Sequence, residues 1–266
     1  MIPHDYHMHS NFSPDCQAPM ATMCRSAIAK QIPEIGFTEH FDLHADEPVR
    51  DWFKPEPWWQ EIEQCRAQFG DQLTILAGIE VGEPHLFHAE MQTVLATGPF
   101  DYVLGSLHWV GRNSMFDPNY FRATPADTAY PAFFEELERM TRVGGFDILS
   151  HFDVPVRTAF SVYGGYDPRP YEEPIRAALR NCIEHGIALD LNTSALRSHV
   201  KLLTPGPDIL RWYVEMGGER VTLGSDAHQP RNIGGKLEQA LTIARQAGLK
   251  YVTHFRQREA RLASIV

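Results

Sequence analysis

Long apolar runs are missing from this 266-residue chain. No stretch approaches the roughly 20 residues that a bilayer-spanning helix needs, so a membrane-spanning helix is not expected. The opening residues Met1-Ile2-Pro3-His4-Asp5 lack a basic start followed by an apolar segment. No secretory signal is therefore read, and the expected compartment is the cytoplasm. Cysteine is sparse, and Cys16, Cys24, Cys65 and Cys182 form no Cys-x-x-Cys pair. Free thiols are expected rather than a disulfide framework. Positive charge is in deficit, with 24 Lys and Arg against 34 Asp and Glu and a net charge of −10. Such a balance argues against a surface that coats nucleic acid. It leaves room for a small anionic substrate, because bound metal ions reverse charge locally. A glycine-rich fingerprint after the first strand is absent, which argues against nicotinamide binding. Without a low-complexity linker, charge run or internal repeat, a single domain over residues 1–266 is expected.

What is present is alternation. Runs with strand character at Ile2–Met8, Glu34–Thr38, Leu73–Val81, Asp101–His108, Asp147–His151, Ala188–Asn192 and Val221–Ser225 alternate with helical patterns. The helices are expected at Met20–Gln31, Trp58–Phe69, Pro125–Val143, Pro174–His185, Asp208–Met216 and Leu237–Ala247, with another within Pro84–Thr97. This order predicts an α/β fold whose parallel sheet is joined by right-handed crossovers. An open doubly wound sheet and a closed barrel both satisfy it. Metal-type residues stand at the C-terminal end of nearly every expected strand, and they can converge only if the sheet closes. The prediction is therefore a barrel, with its site on that rim.

The clusters run Asp5-Tyr6-His7-Met8-His9, Thr38-Glu39-His40, Gly78-Ile79-Glu80, Gly105-Ser106-Leu107-His108, Ser150-His151-Phe152-Asp153 and Gly224-Ser225-Asp226-Ala227-His228. Alternate strand residues share a face, so Asp5, His7 and His9 are expected to point together. Asp5 would then orient an imidazole by accepting its second N–H. A carboxylate at the end of an apolar strand, such as Glu80, is costly unless it is paired or coordinates a metal. Taken separately each motif is weak. Together they crowd ionisable side chains onto one rim, where each needs a partner.

In this order the motifs resemble those of the PHP (polymerase and histidinol phosphatase) superfamily, from Asp5 to His228. The segments Asp101–Trp109, Leu189–Arg197 and Leu223–His228 look specifically like monofunctional histidinol-phosphate phosphatases. The resemblance implies a distorted, TIM-like (β/α)7 barrel. It also implies three divalent ions (zinc, manganese or iron), since imidazole and carboxylate donors suit any of these. His7, His9, Glu80 and Asp226 would hold the first ion. Glu80 would bridge to a second ion completed by His108 and His151, and Asp15, His40 and His228 would hold the third.

The implied reaction is hydrolysis of L-histidinol phosphate by a hydroxide bridging two ions, with another small phosphate ester or a nucleotide as the alternative substrate. Glu80, Asp226 and His228 are the catalytic candidates. Asp226 or His228 would protonate the leaving alkoxide, although a ligated His228 is a poor acid and a metal-bound water is the alternative. Arg197, after an expected strand end, is the leading phosphate contact because its fork binds two oxygens. Arg157 is second. Asp42, Glu83 and the aromatic loop Trp109–Phe121 are candidates for the rest of the substrate. His4, His44, His85, His88, His185, His199 and His254 are read as surface or incidental, with His44 the leading exception.

Overall fold

The computed structural model describes residues 2–265. Its strands are β1 (Glu34–Phe41), β2 (Thr74–Gly82), β3 (Tyr102–Ser106), β4 (Trp109–Val110), β5 (Asn113–Ser114), β6 (Ile148–Leu149), β7 (Ala188–Asn192), β8 (Val221–Gly224), β9 (Tyr251–Arg256) and β10 (Glu259–Ser264). Six of them form one sheet in the order β1-β2-β3-β6-β7-β8, with every pairing parallel. Strands covered on both faces read as near-continuous apolar runs, and β2 is buried from its second residue onward. The helix Pro55–Phe69 packs Trp58, Ile62, Cys65 and Phe69 inward at helical spacing.

The N-terminal segment closes the ring. Its Asp5 N–H donates to Glu34 O, and Asp5 O accepts from Gly36 N–H on β1. On the other side, Tyr6 N–H donates to Leu223 O, and His7 O accepts from Asp226 N–H next to β8. The expected seventh strand thus exists as a bridge between the two edges, with only isolated pairings at Asp5–Ile35 and Met8–Ala227. Tyr6 faces the barrel interior with Leu76, Tyr102, Leu104 and Ile148, and His4 stacks on it. One residue later, His7 faces the rim cluster. The side-chain alternation therefore slips between Tyr6 and His7, as at a bulge, where an extra residue interrupts regular pairing.

That slip corrects the expectation for Asp5. Its carboxylate does not join His7 and His9; it accepts the N–H groups of Ser225 and Gly234 at 2.8 and 2.9 Å. Asp5 ties down the segments flanking Asp226 rather than orienting an imidazole.

Tyr102 fills the barrel centre and donates to Tyr6 O at 2.8 Å. It fits because β1 and β2 present Gly36 and Gly78 to it. A methyl on either glycine would stand within 2.7 Å of the Tyr102 ring or hydroxyl. The lower mouth is closed by the β9–β10 hairpin, which was not expected from sequence. Phe255 enters the interior cluster, while His254 and Arg256 pair with Glu34. Among the described residues, no helix is long and apolar enough to cross a membrane.

Candidate active site

Glu80, near the end of β2, is the centre of the upper rim. Its Oε1 accepts from Ser106 Oγ at 2.6 Å and lies 3.1 Å from His151 Nε2 and 3.4 Å from His108 Nε2. Its Oε2 lies 3.3 Å from His7 Nε2, 3.5 Å from His9 Nε2 and 3.1 Å from His40 Nδ1. The two oxygens of one carboxylate thus face two different sets of imidazoles. Asp226 Oδ1 stands 3.9 Å from His7, 3.6 Å from His9 and 3.5 Å from His228 Nδ1. Asp15 Oδ2 lies 2.9 Å from His228 Nε2 and 3.5 Å from His40 Nε2. All nine residues that the family resemblance implies as ligands therefore meet in one place. His7, His9, Glu80, His108, His151 and Asp226 are buried, whereas Asp15 is 54% exposed, so the cluster opens to solvent on its Asp15 side.

The imidazoles are held from behind. His7 Nδ1 meets Asp190 Oδ2 at 2.8 Å, and His108 Nδ1 meets Asp42 Oδ1 at 3.0 Å. His9 Nδ1 meets Ser13 Oγ at 3.0 Å, and that hydroxyl donates to the buried Glu39 at 2.6 Å. Glu83 Oε1 accepts the backbone N–H groups of His108 and Trp109 at 2.6 and 2.9 Å, so it fixes His108 rather than facing a substrate. Burial lifts the Glu83 carboxyl to about 7. Sequence reasoning missed Asp190, Ser13 and Glu39. Asp190 and Asn192 do follow the period of two that marks one face of β7, and their position opposite His7 depends on ring closure.

Burial pushes the carboxyls of Glu80 and Asp226 up, but nearby cations outweigh it. His7 and His40 hold Glu80 well below the carboxylate range, and Arg157 and His7 do the same for Asp226. Burial pushes each of the six cluster imidazoles down. His9 falls to about 3 and His151 to about 4, while Asp42 and Glu80 carry His108 to about 10. The rings thus compete for protons at contact distance. A divalent cation removes that competition, because each ring can face it in neutral form. His9 Nε2, His40 Nδ1 and His108 Nε2 are buried without a hydrogen bond of acceptable geometry, so these ring nitrogens face the cluster without a hydrogen-bond partner. Three-donor groups occur at His7–His9–Asp226, His7–Glu80–His151, His40–Glu80–His108 and His9–His40–His228. The residues present fit a divalent-metal centre.

The cluster floors a cavity of about 310 Å³ that Arg157 also lines. Arg157 Nη2 lies 2.7 Å from Asp226 Oδ2 and donates to Asn192 Oδ1 at 2.8 Å. Arg197, ranked first from sequence, does not reach the cavity. Its guanidinium donates to Thr193 Oγ1, Gly235 O and Asp226 O behind the rim. Arg197 lies at the end of the short helix Ser194–Arg197 that follows β7, whereas Arg157 lines the cavity. The remaining histidines are not all superficial. His4 is fully buried at the lower mouth, where its Nε2 accepts Leu223 N–H. His44 stacks on Trp109 with centroids 4.5 Å apart. Cys16 donates its thiol to His228 O at 3.1 Å.

The PHP domain family model matches residues 5–194. A histidinol-phosphatase of Lactococcus lactis is 28% identical over 94% of this chain and 93% of its own. A probable histidinol-phosphatase of Deinococcus radiodurans is 28% identical over 96% of this chain and 97% of its own. The crystal structure of histidinol phosphate phosphatase from Lactococcus lactis, complexed with zinc, L-histidinol and phosphate, superposes with a TM-score of 0.84 at 25% identity. That match covers 97% of this chain and 98% of the other. The parallel barrel, the rim of imidazoles around Glu80 and these likenesses agree, and the chain belongs to the PHP domain family.

Proposed function

We propose that the whole chain is one phosphatase domain that hydrolyses L-histidinol phosphate to L-histidinol and phosphate using three divalent ions. The observation that carries this reading is the division of the Glu80 carboxylate between two sets of imidazoles. That is the arrangement a bridging ligand requires. His7, His9, Glu80 and Asp226 would hold one ion, Glu80, His108 and His151 a second, and Asp15, His40 and His228 a third. Zinc is favoured over manganese and iron by the zinc complex of the Lactococcus lactis protein.

Ions held there supply Lewis acidity toward phosphoryl oxygens and ease deprotonation of water near neutral pH. The protein's own part is positioning and charge, which phosphoryl transfer needs more than covalent catalysis. Asp190, Asp42 and the Ser13–Glu39 pair fix the faces of His7, His108 and His9. Arg157 lines the cavity with a buried Nε that has no partner, and its fork suits a phosphoryl oxygen. Two relatives named for this activity span the chain almost end to end.

A small phosphomonoester fits the cavity volume, and the acidic balance argues against a nucleic-acid or anionic membrane partner. The cytoplasm remains the proposed compartment. The test is phosphate release by metal-loaded protein from L-histidinol phosphate, nucleoside monophosphates and nucleotide diesters. A large preference for the nucleotides would overturn the substrate assignment.

A further inference from the structure

The mouth of the cavity is built differently from its floor. Glu47, Val49 and Phe116 line it, and Val49 and Phe116 are among the few large apolar side chains left exposed, at 40% and 45%. Three contacts join the loops that carry them. Asp46 pairs with Arg112 through both carboxylate oxygens at 2.8 and 2.9 Å. His44 Nε2 meets Gly111 O at 2.9 Å, and Trp109 Nε1 donates to Glu47 Oε2 at 3.3 Å. The loop after β1 is thus clamped to the β4–β5 hairpin, with the His44 ring flat against Trp109.

Inside this frame the Glu47 carboxylate is only weakly satisfied. Its bonds from Trp109 Nε1 and Val49 N–H are 3.3 and 3.4 Å long, beyond the usual N–H···O range. Arg157 enters the cavity from the segment after β6, and β2 and β3 separate that strand from β1 in the sheet. The anionic and cationic ends of the cavity therefore come from different sides of the rim.

We propose that Glu47, flanked by Val49 and Phe116, is the subsite for the cationic end of the substrate, selecting phosphomonoesters that carry an ammonium group beside an aromatic ring. This rests on the phosphomonoesterase reading above and names the group that sets its selectivity. An ammonium donates to the Glu47 carboxylate in a charge-assisted hydrogen bond, and an aromatic ring covers the exposed Val49 and Phe116. A neutral ester gains neither the charge nor the bond. A nucleotide diester presents an uncharged nucleoside rather than an ammonium toward Glu47 and is disfavoured.

The experiment compares metal-loaded wild type with Glu47→Gln and Glu47→Asp. Two ratios are read: kcat/KM for L-histidinol phosphate over p-nitrophenyl phosphate, and inhibition by L-histidinol over inhibition by inorganic phosphate. Glutamine keeps an acceptor for Trp109, so the loops stay tied while the charge is lost. Both ratios fall by about 10- to 100-fold in Glu47→Gln, mainly through KM, as expected for one hydrogen bond to a charged group. Glu47→Asp recovers part of the loss. A wild-type substrate ratio near one overturns the substrate assignment and this proposal together. A high wild-type ratio that survives Glu47→Gln overturns this proposal alone.

Discussion

Replacing Glu80 by glutamine preserves shape and removes one charge. In the structure each carboxylate oxygen faces its own set of imidazoles, with contacts between 3.1 and 3.5 Å. An amide presents one neutral oxygen to one set and an NH2 donor to the other. If the carboxylate ligates two ions, two charge-assisted interactions are lost, each worth about 1.5–3 kcal/mol. Their sum of about 3–6 kcal/mol corresponds to a loss of roughly 10²- to 10⁴-fold in kcat/KM, at about 1.4 kcal/mol per factor of ten. The assay is phosphate release from L-histidinol phosphate, with metal content measured on the same samples. Metal content should fall together with activity. A Glu80→Gln protein that keeps its full metal complement and loses less than about tenfold in kcat/KM would refute the bridging assignment.

The two arginines separate cleanly by position. Arg157→Ala lowers kcat/KM by about 10- to 100-fold, because it removes the ion pair with Asp226 and a cavity-lining donor. Arg197→Ala, whose bonds go to Thr193 and backbone oxygens, mainly lowers stability, by about 1–2 kcal/mol in urea unfolding; the reverse order in steady-state kinetics would return Arg197 to the phosphate. Asp190→Asn weakens metal binding by about 10- to 100-fold in chelator competition, since it loosens the partner of His7 Nδ1, and unchanged affinity would remove Asp190 from the site. At the lower mouth, burial pushes the Glu34 carboxyl up, but bonds from His254, Arg256 and Tyr6 hold it down at about 2. A depressed carboxyl stabilises the fold above its unfolded value of about 4.5, and that contribution is lost as pH falls through about 2. The stability advantage of wild type over Glu34→Gln should therefore be full at pH 7 and shrink between about pH 4.5 and 2 in denaturant titrations; a constant gap would contradict the network.

Much of the site was legible because strand ends carry a local signature. Glu80, His108 and Asp226 end apolar runs, where an ionisable group is costly unless it is paired or binds a metal. The alternation of strands and helices fits an open sheet as well, and such residues at nearly every C-terminal end favour a ring. The surroundings of those ligands were not legible. Asp5 was placed with His7 by regular alternation, and the slip between Tyr6 and His7 arises where one segment must pair with both β1 and β8. Arg197 was ranked above Arg157 on nearness to a strand end, yet one helical turn after β7 points it behind Asp226.

Residue type and periodicity by themselves determined the α/β class and most of the candidate donors, because burial of an apolar strand and the coordinating power of imidazole are properties of short segments. The family resemblance added Asp15 and the division of the donors among three ions. Tertiary structure alone decided which groups stand behind each imidazole, which arginine enters the cavity and how the mouth is framed. Those depend on contacts such as His7–Asp190, Arg157–Asp226 and Trp109–Glu47. Such pairs lie tens to hundreds of residues apart, and their meeting follows from the closure of the barrel, which no local window encodes.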